Sequence, residues 1–221
     1  MKNQLPGLGY HFENPKLLEL ALTHKSHRSN NNERLEFLGD ALLGTVVADV
    51  LFQLHPNASE GELTRFRAAI VRGETLADIA AELNLGKYIL VGSAENRTGT
   101  IRRKSILADT LEAIFAAVYL DGGFSAVSRV VTKLTSKKIA ELPAANELKD
   151  PKTQLQEWLQ ARSRAIPEYK LVAESGAEHA KVFKVMVYLL DEPGVSFTSS
   201  GSSRRKAQQS AAEKMLVHLQ S

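Results

Sequence analysis

The 221-residue sequence predicts an α+β protein: an all-helical part over residues 1–141, a linker at 142–149, and a small α-β-β-β-α module over 150–221. Apolar residues recur at helical spacing from Leu17 to Ile139. The stretch Glu141-Leu142-Pro143-Ala144-Ala145-Asn146-Glu147 breaks that pattern, and beyond it β-branched residues alternate in three short runs. Charge divides the same way, because residues 149–221 carry 11 Lys+Arg against 8 Asp+Glu, the whole of the net +3.

In chain order, Asn14-Pro15-Lys16 opens a helix with Leu17, Leu18, Ala21 and Leu22 at helical spacing, ending near Thr23-His24-Lys25-Ser26. The polar run His27-Arg28-Ser29-Asn30-Asn31-Asn32 reads as a loop into a second helix. That helix continues through Val46, Val47, Val50 and Leu51 until His55-Pro56-Asn57 stops it. Ser59-Glu60-Gly61-Glu62 has the form of a helix start, followed by Leu63, Phe66, Ala69 and Ile70 on one side. A short amphipathic helix over 74–83 closes at Asn84-Leu85-Gly86-Lys87. Residues 88–99 are loop-like, and Arg102-Arg103-Lys104 precedes a long helix over 105–120. After Asp121-Gly122-Gly123-Phe124 another helix runs to about Ile139. In the last module a helix covers 151–162, strands cover 169–175, 181–190 and 195–200, and a final helix covers 203–219.

An apolar fraction of 43% and a charged fraction of 24% are those of an ordinary globular chain. No run of about 18 apolar residues marks a membrane span, and the N-terminus lacks the apolar core of a signal peptide. With no cysteine, disulfides and thiolate metal sites are excluded. The expected location is the cytoplasm, with no membrane partner.

The chemistry concentrates in Asn32-Glu33-Arg34-Leu35-Glu36-Phe37-Leu38-Gly39-Asp40-Ala41-Leu42-Leu43. Here Glu33, Glu36 and Asp40 project within about 60° of one another on an otherwise apolar helix. Like charges at this spacing repel, yet no Lys or Arg stands three or four residues from Glu36 or Asp40. Leu35, Leu38 and Leu42 form an apolar face that Phe37 and Leu43 extend, so burial over much of the circumference is expected. Buried, unpaired carboxylates coordinate a metal, pair with distant bases or become protonated.

The pattern returns in the long helix, where Asp109 and Glu112 lie three apart among Ile106, Leu107, Leu111, Ile114, Phe115 and Val118, again without a local cation. Two such pairs point to one shared acidic site. Its ligands are all oxygens, which select Mg²⁺, or Mn²⁺ in its place, over zinc, and ions held this way suit phosphodiester hydrolysis. The competing reading is that these acids pair with Arg34, Arg65, Arg67 or Arg72. A di-iron bundle site is set aside because it calls for Glu-x-x-His.

In the last module, Arg204-Arg205-Lys206 falls in the first turn of a helix, where the macrodipole disfavours cations. A bound backbone phosphate explains such a turn, and so does simple solvation. No basic strand interleaved with aromatics offers to stack single-stranded bases. Shape recognition of a duplex fits better.

Asn32 through Leu43 closely resembles the signature of the ribonuclease III family, Asn-Glu-Arg-Leu-Glu-Phe-Leu-Gly-Asp-Ala. The similarity extends to Ala21-Leu22-Thr23-His24-Lys25-Ser26 and to Ser105-Ile106-Leu107-Ala108-Asp109-Thr110-Leu111-Glu112-Ala113. Residues 149–221 look like a double-stranded RNA-binding domain, carried by Lys149-Asp150-Pro151-Lys152-Thr153-Gln154-Leu155-Gln156-Glu157 and Gly201-Ser202-Ser203-Arg204-Arg205-Lys206-Ala207. The resemblance implies an Mg²⁺-dependent endoribonuclease of rRNA and mRNA precursors that cuts both strands of duplex RNA. It implies a homodimer, each subunit cutting one strand to leave 5′-phosphate and 3′-hydroxyl ends.

By the same resemblance, Glu36, Asp40, Asp109 and Glu112 form the catalytic metal cluster, Asp40 and Glu112 being the most essential, with Glu33 and Glu60 in supporting roles. Gln156 and Glu157 match the helix that reads one minor groove, His179 the loop that enters the next, and Arg204, Arg205 and Lys206 the phosphate contacts between them. Lys104, Thr100 and Ser199 depart from the family's pattern; Ser199 replaces a glycine before the last helix and is expected to alter that loop's entry slightly. A non-catalytic duplex-RNA-binding or scaffolding protein is the alternative.

Overall fold

The structure, a computed structural model, describes residues 3–93, 101, 103–145, 147–177 and 180–220. Thr100, His179 and part of the 88–99 loop lie outside the described residues. The chain divides into two compact units, Met1–Ala145 and Asn146–Ser221.

The first unit is built on helix α5, Lys104–Ala140, against which α1 (Pro15–Ala21), α2 (Glu33–Leu54), α3 (Glu60–Val71) and α4 (Gly73–Glu82) all pack. Between Ile106 and Val118 its side chains are buried on nearly every face, which an almost unbroken apolar run requires. By length and composition alone α5 is apolar enough to cross a membrane; here that apolar surface is the core of the unit. The two expected helices, 105–120 and the one ending near Ile139, meet at a kink at Gly123, whose φ of 75° and ψ of −177° are non-helical and favour glycine. Asp121 lies just before this break and accepts hydrogen bonds from Tyr10 Oη and from the Glu13 and Asn14 N–H groups, tying the N-terminal segment to α5.

Local chemistry sets the other boundaries. Asn14 caps α1, with Pro15 in its first turn, and α2 ends at His55. Ser59 and Glu62 form a reciprocal capping box that starts α3. One expectation fails: Phe37 does not extend the buried face of α2 but is 81% exposed. Position 37 is about 100° round the helix from Glu36 and points away from α5.

The second unit contains α6 (Pro151–Gln160), the strands β1 (Glu168–Ser175), β2 (Val182–Tyr188) and β3 (Ser196–Gly201), and α7 (Arg204–Gln220). The strands form an antiparallel sheet in the order β1-β2-β3, with a bulge in β1 between Leu171 and Ala173. Leu155 and Leu159 of α6 and Ala211, Ala212, Met215 and Leu216 of α7 close over Val187 as a separate core. Ser199 is buried in β3, and its hydroxyl donates to Ser210 Oγ of α7 at 2.8 Å, so the departure from glycine adds a strand-to-helix tie.

Candidate functional site

Helices α2 and α5 are in close contact at Gly39, where a Cβ would sit 1.8 Å from the Glu112 carbonyl oxygen. Only a residue without a side chain permits this crossing. Glu36 lies one turn before Gly39, and Asp109 and Glu112 lie on the facing stretch of α5. Their carboxylates converge, each offering an oxygen within 4.8 Å of the others.

Burial raises the proton affinity of all three groups, and neighbouring carboxylates add to it for Glu36 and Glu112. Glu112 is pushed up to about 8, first by burial and then by the charges of Asp40, Asp109 and Glu36. Glu36 is raised by burial and by Asp109, and Asp109 is raised by burial against the opposing charges of His24 and Lys25. Among the described residues, no ion pair joins these acids to Arg34, Arg65, Arg67 or Arg72. A half-buried set of oxygen donors with excess negative charge fits a hard divalent cation, and the cluster can hold one.

The other expected residues fall at graded distances from this centre. Asp40 is exposed and outside the group of three, but its charge is the largest carboxylate contribution felt by Glu112. Glu33 is exposed and accepts a hydrogen bond from Lys25 Nζ at 3.0 Å, which holds its carboxyl below the usual range. Glu60, at the start of α3, accepts from Thr64 Oγ1 and lines a cleft of about 500 Å³ with Ala48, Leu51 and Phe52. That end of α2 lies roughly 18 Å along the helix axis from Glu36, so within one chain Glu60 is not brought to the cluster.

In the second unit Gln156 and Glu157 are exposed on α6, and Lys149 Nζ donates to Glu157. Arg204, Arg205 and Lys206 are exposed in the first turn of α7, where Ser203 Oγ accepts from the Lys206 N–H. Arg204 also lies 3.6 Å from Glu174. His179 is outside the described residues.

A family profile described as ribonuclease-III-like matches residues 14–139, and one for the double-stranded RNA binding motif matches residues 151–219. Ribonuclease 3 of Alkalilimnicola ehrlichii is 48% identical over 213 residues, 96% of this chain and 93% of its own length. The chain belongs to the ribonuclease III family. Another ribonuclease 3, from Legionella pneumophila strain Lens, is 49% identical over 213 residues, covering 96% of this chain and 95% of its own. The solved nuclease domain of ribonuclease III from Campylobacter jejuni is similar with a TM-score of 0.58 at 44% identity, over 62% of this chain and 93% of that domain.

Two features of this ribonuclease III chain escape a reading by spacing. Gly39 carries no functional group, and its flanking by Glu36 and Asp40 on an apolar helix is the signal that a close crossing holds the acids. Lys25 reaches Glu33 from eight residues upstream across a loop, outside any helical periodicity.

Proposed function

We propose that this chain is an endoribonuclease that hydrolyses phosphodiester bonds of double-stranded RNA, using Mg²⁺ at Glu36, Asp109 and Glu112 with Asp40 at the edge. Residues 1–141 are the nuclease part, 142–149 the linker and 150–221 the duplex-binding part. It acts in the cytoplasm on rRNA and mRNA precursors and leaves 5′-phosphate and 3′-hydroxyl ends. The observation that carries this reading is the convergence of three carboxylates from two helices within 4.8 Å, in a chain that also carries a duplex-RNA-binding motif.

When bound, divalent ions supply Lewis acidity and charge neutralisation at the scissile phosphate. The chain's own contribution is positional. Gly39 allows α2 and α5 to present their acids to one point, and the packed α5 keeps them from spreading apart under their mutual repulsion. To hold a cation Glu112 would have to give up its proton, so affinity would rise with pH. The exposed residues of α6 and the basic turn of α7 grip the duplex by its shape and phosphates.

The test is incubation of the purified protein with long duplex RNA, with and without Mg²⁺, followed by end-group analysis. Cleavage by the wild type and a loss of at least about 10³-fold in Glu112→Gln, with duplex binding retained, are expected. A pure binder would shift the RNA on a gel without shortening it, and near-normal cleavage by Glu112→Gln would remove the site assignment.

A homodimer is part of the proposal. The outer face of α2 exposes Phe37 and Phe52, with Ala41, Thr45 and Ala48 between them at helical spacing. A solved Campylobacter jejuni nuclease domain is described as having a region involved in dimer formation. Antiparallel pairing of two α2 stripes about a two-fold axis would carry Glu60 of one copy toward Glu36 and Asp40 of the other, giving Glu60 its supporting role. Phe37→Asp is expected to sediment as a monomer and to lose at least about tenfold in cleavage; a wild-type protein that sediments as a monomer at micromolar concentration would contradict the dimer.

A further inference from the structure

The turn that carries His24, Lys25 and Ser26, beside the acidic cluster, is tied down by backbone and side-chain hydrogen bonds on both sides. Thr23 bridges Leu90 in parallel fashion, the His24 N–H donates to the Leu90 carbonyl at 2.9 Å, and the Leu90 N–H donates to the Leu22 carbonyl at 2.8 Å. The Gly92 N–H donates to Ser26 Oγ at 3.0 Å. Buried Asn32 ties the same turn to the start of α2: its N–H donates to the Thr23 carbonyl, and its Nδ2 donates to the Ala21 carbonyl. Lys25 therefore leaves a fixed backbone and reaches Glu33, one turn from Glu36. The charges of Glu36 and Asp109 act on it as well.

An exposed ion pair such as Lys25–Glu33 contributes little to stability. The rigid mounting has a better use at a site where a phosphodiester must approach several carboxylates. The geometry points to Lys25 as a catalytic residue that binds a non-bridging oxygen of the scissile phosphate, with Glu33 aiming its ammonium group until the RNA displaces it. A lysine suits this task as a compact point charge on a flexible stem, and its side chain is accessible to such a ligand. Glu33 then acts as a positioning residue, which accounts for an acid that shares the face of Glu36 but stands outside the group of three. This inference rests on the nuclease reading of the cluster.

The test compares single-turnover cleavage of duplex RNA at saturating enzyme and Mg²⁺ for the wild type, Lys25→Ala, Lys25→Arg, Glu33→Gln and the Lys25→Ala/Glu33→Gln double variant. Lys25→Ala is expected to slow cleavage about 100-fold, the scale of losing one charge-stabilising donor. Lys25→Arg should recover most of the rate, and the double variant should match Lys25→Ala alone. Duplex affinity, measured in a Glu112→Gln background, should change by less than about threefold, because a single phosphate contact is one of many. If the wild type cleaves and Lys25→Ala cleaves within about twofold of it, or loses only affinity, this inference falls while the nuclease reading stands. If the wild type itself does not cleave, the nuclease reading falls first.

Discussion

At the residue scale the informative group is Glu112, whose proton affinity is a product of its surroundings. Its folded value of about 8 stands above an ordinary 4.5. A carboxyl shifted in this direction contributes stability fully below about pH 4.5 and loses that contribution as pH rises through about 8. Metal-free protein should accordingly lose thermal stability across this window. Glu112→Gln should flatten the profile and raise the Tm at pH 8 by a few degrees, with no gain at pH 4.5. Thermal melts in chelator across the pH range check this, and parallel profiles for the two proteins would argue against a strained cluster. The acids themselves were legible as residues lacking a cation at helical spacing. The cation that does pair with Glu33 was not, because Lys25 arrives through a loop fixed by contacts to residues 90–92. Phe37 was misread for a related cause: an apolar side chain on an apolar helix was assigned inward, although it projects to the open side of α2.

At the scale of elements, the α2–α5 crossing decides whether a site exists. Ala is favoured over Gly within a helix by about 1 kcal/mol, so propensity alone predicts that Gly39→Ala stabilises the protein. The 1.8 Å approach to the Glu112 carbonyl oxygen predicts the reverse. The expected outcome is a net loss of about 1–3 kcal/mol as the helices are forced apart, together with a smaller Mg²⁺-induced rise in Tm than the wild type shows. An unchanged or raised Tm with normal Mg²⁺ response would mean that the crossing does not position the acids. Most element boundaries were readable because their causes are local. The Ser59–Glu62 capping box, the Pro15 start and the kink at Gly123 act within a few residues of sequence. Ser199 was only partly readable, since its consequence, the bond to Ser210, depends on β3 and α7 meeting.

At the scale of the whole molecule, the two units have separate cores and different charge balances. Removing residues 149–221 should leave a slower nuclease whose cleavage falls more steeply with salt, because the phosphate contacts proposed for the second unit would be lost. Rates of the truncated and full chains between low and physiological salt check this, and equal rates at physiological salt would contradict it.

The sequence by itself determined the α+β class and the order of the helices and strands, because both are written in local spacing and residue type, while its motifs carry the family resemblance and single out the candidate acids. Tertiary structure alone decided which of those acids share a point in space. Glu36, Asp109 and Glu112 meet because a glycine lets two helices nearly touch, while Asp40 remains at the edge and Glu60 at the far end of α2. Proximity between distant segments depends on how whole helices pack, and a helical period carries no record of what lies across it.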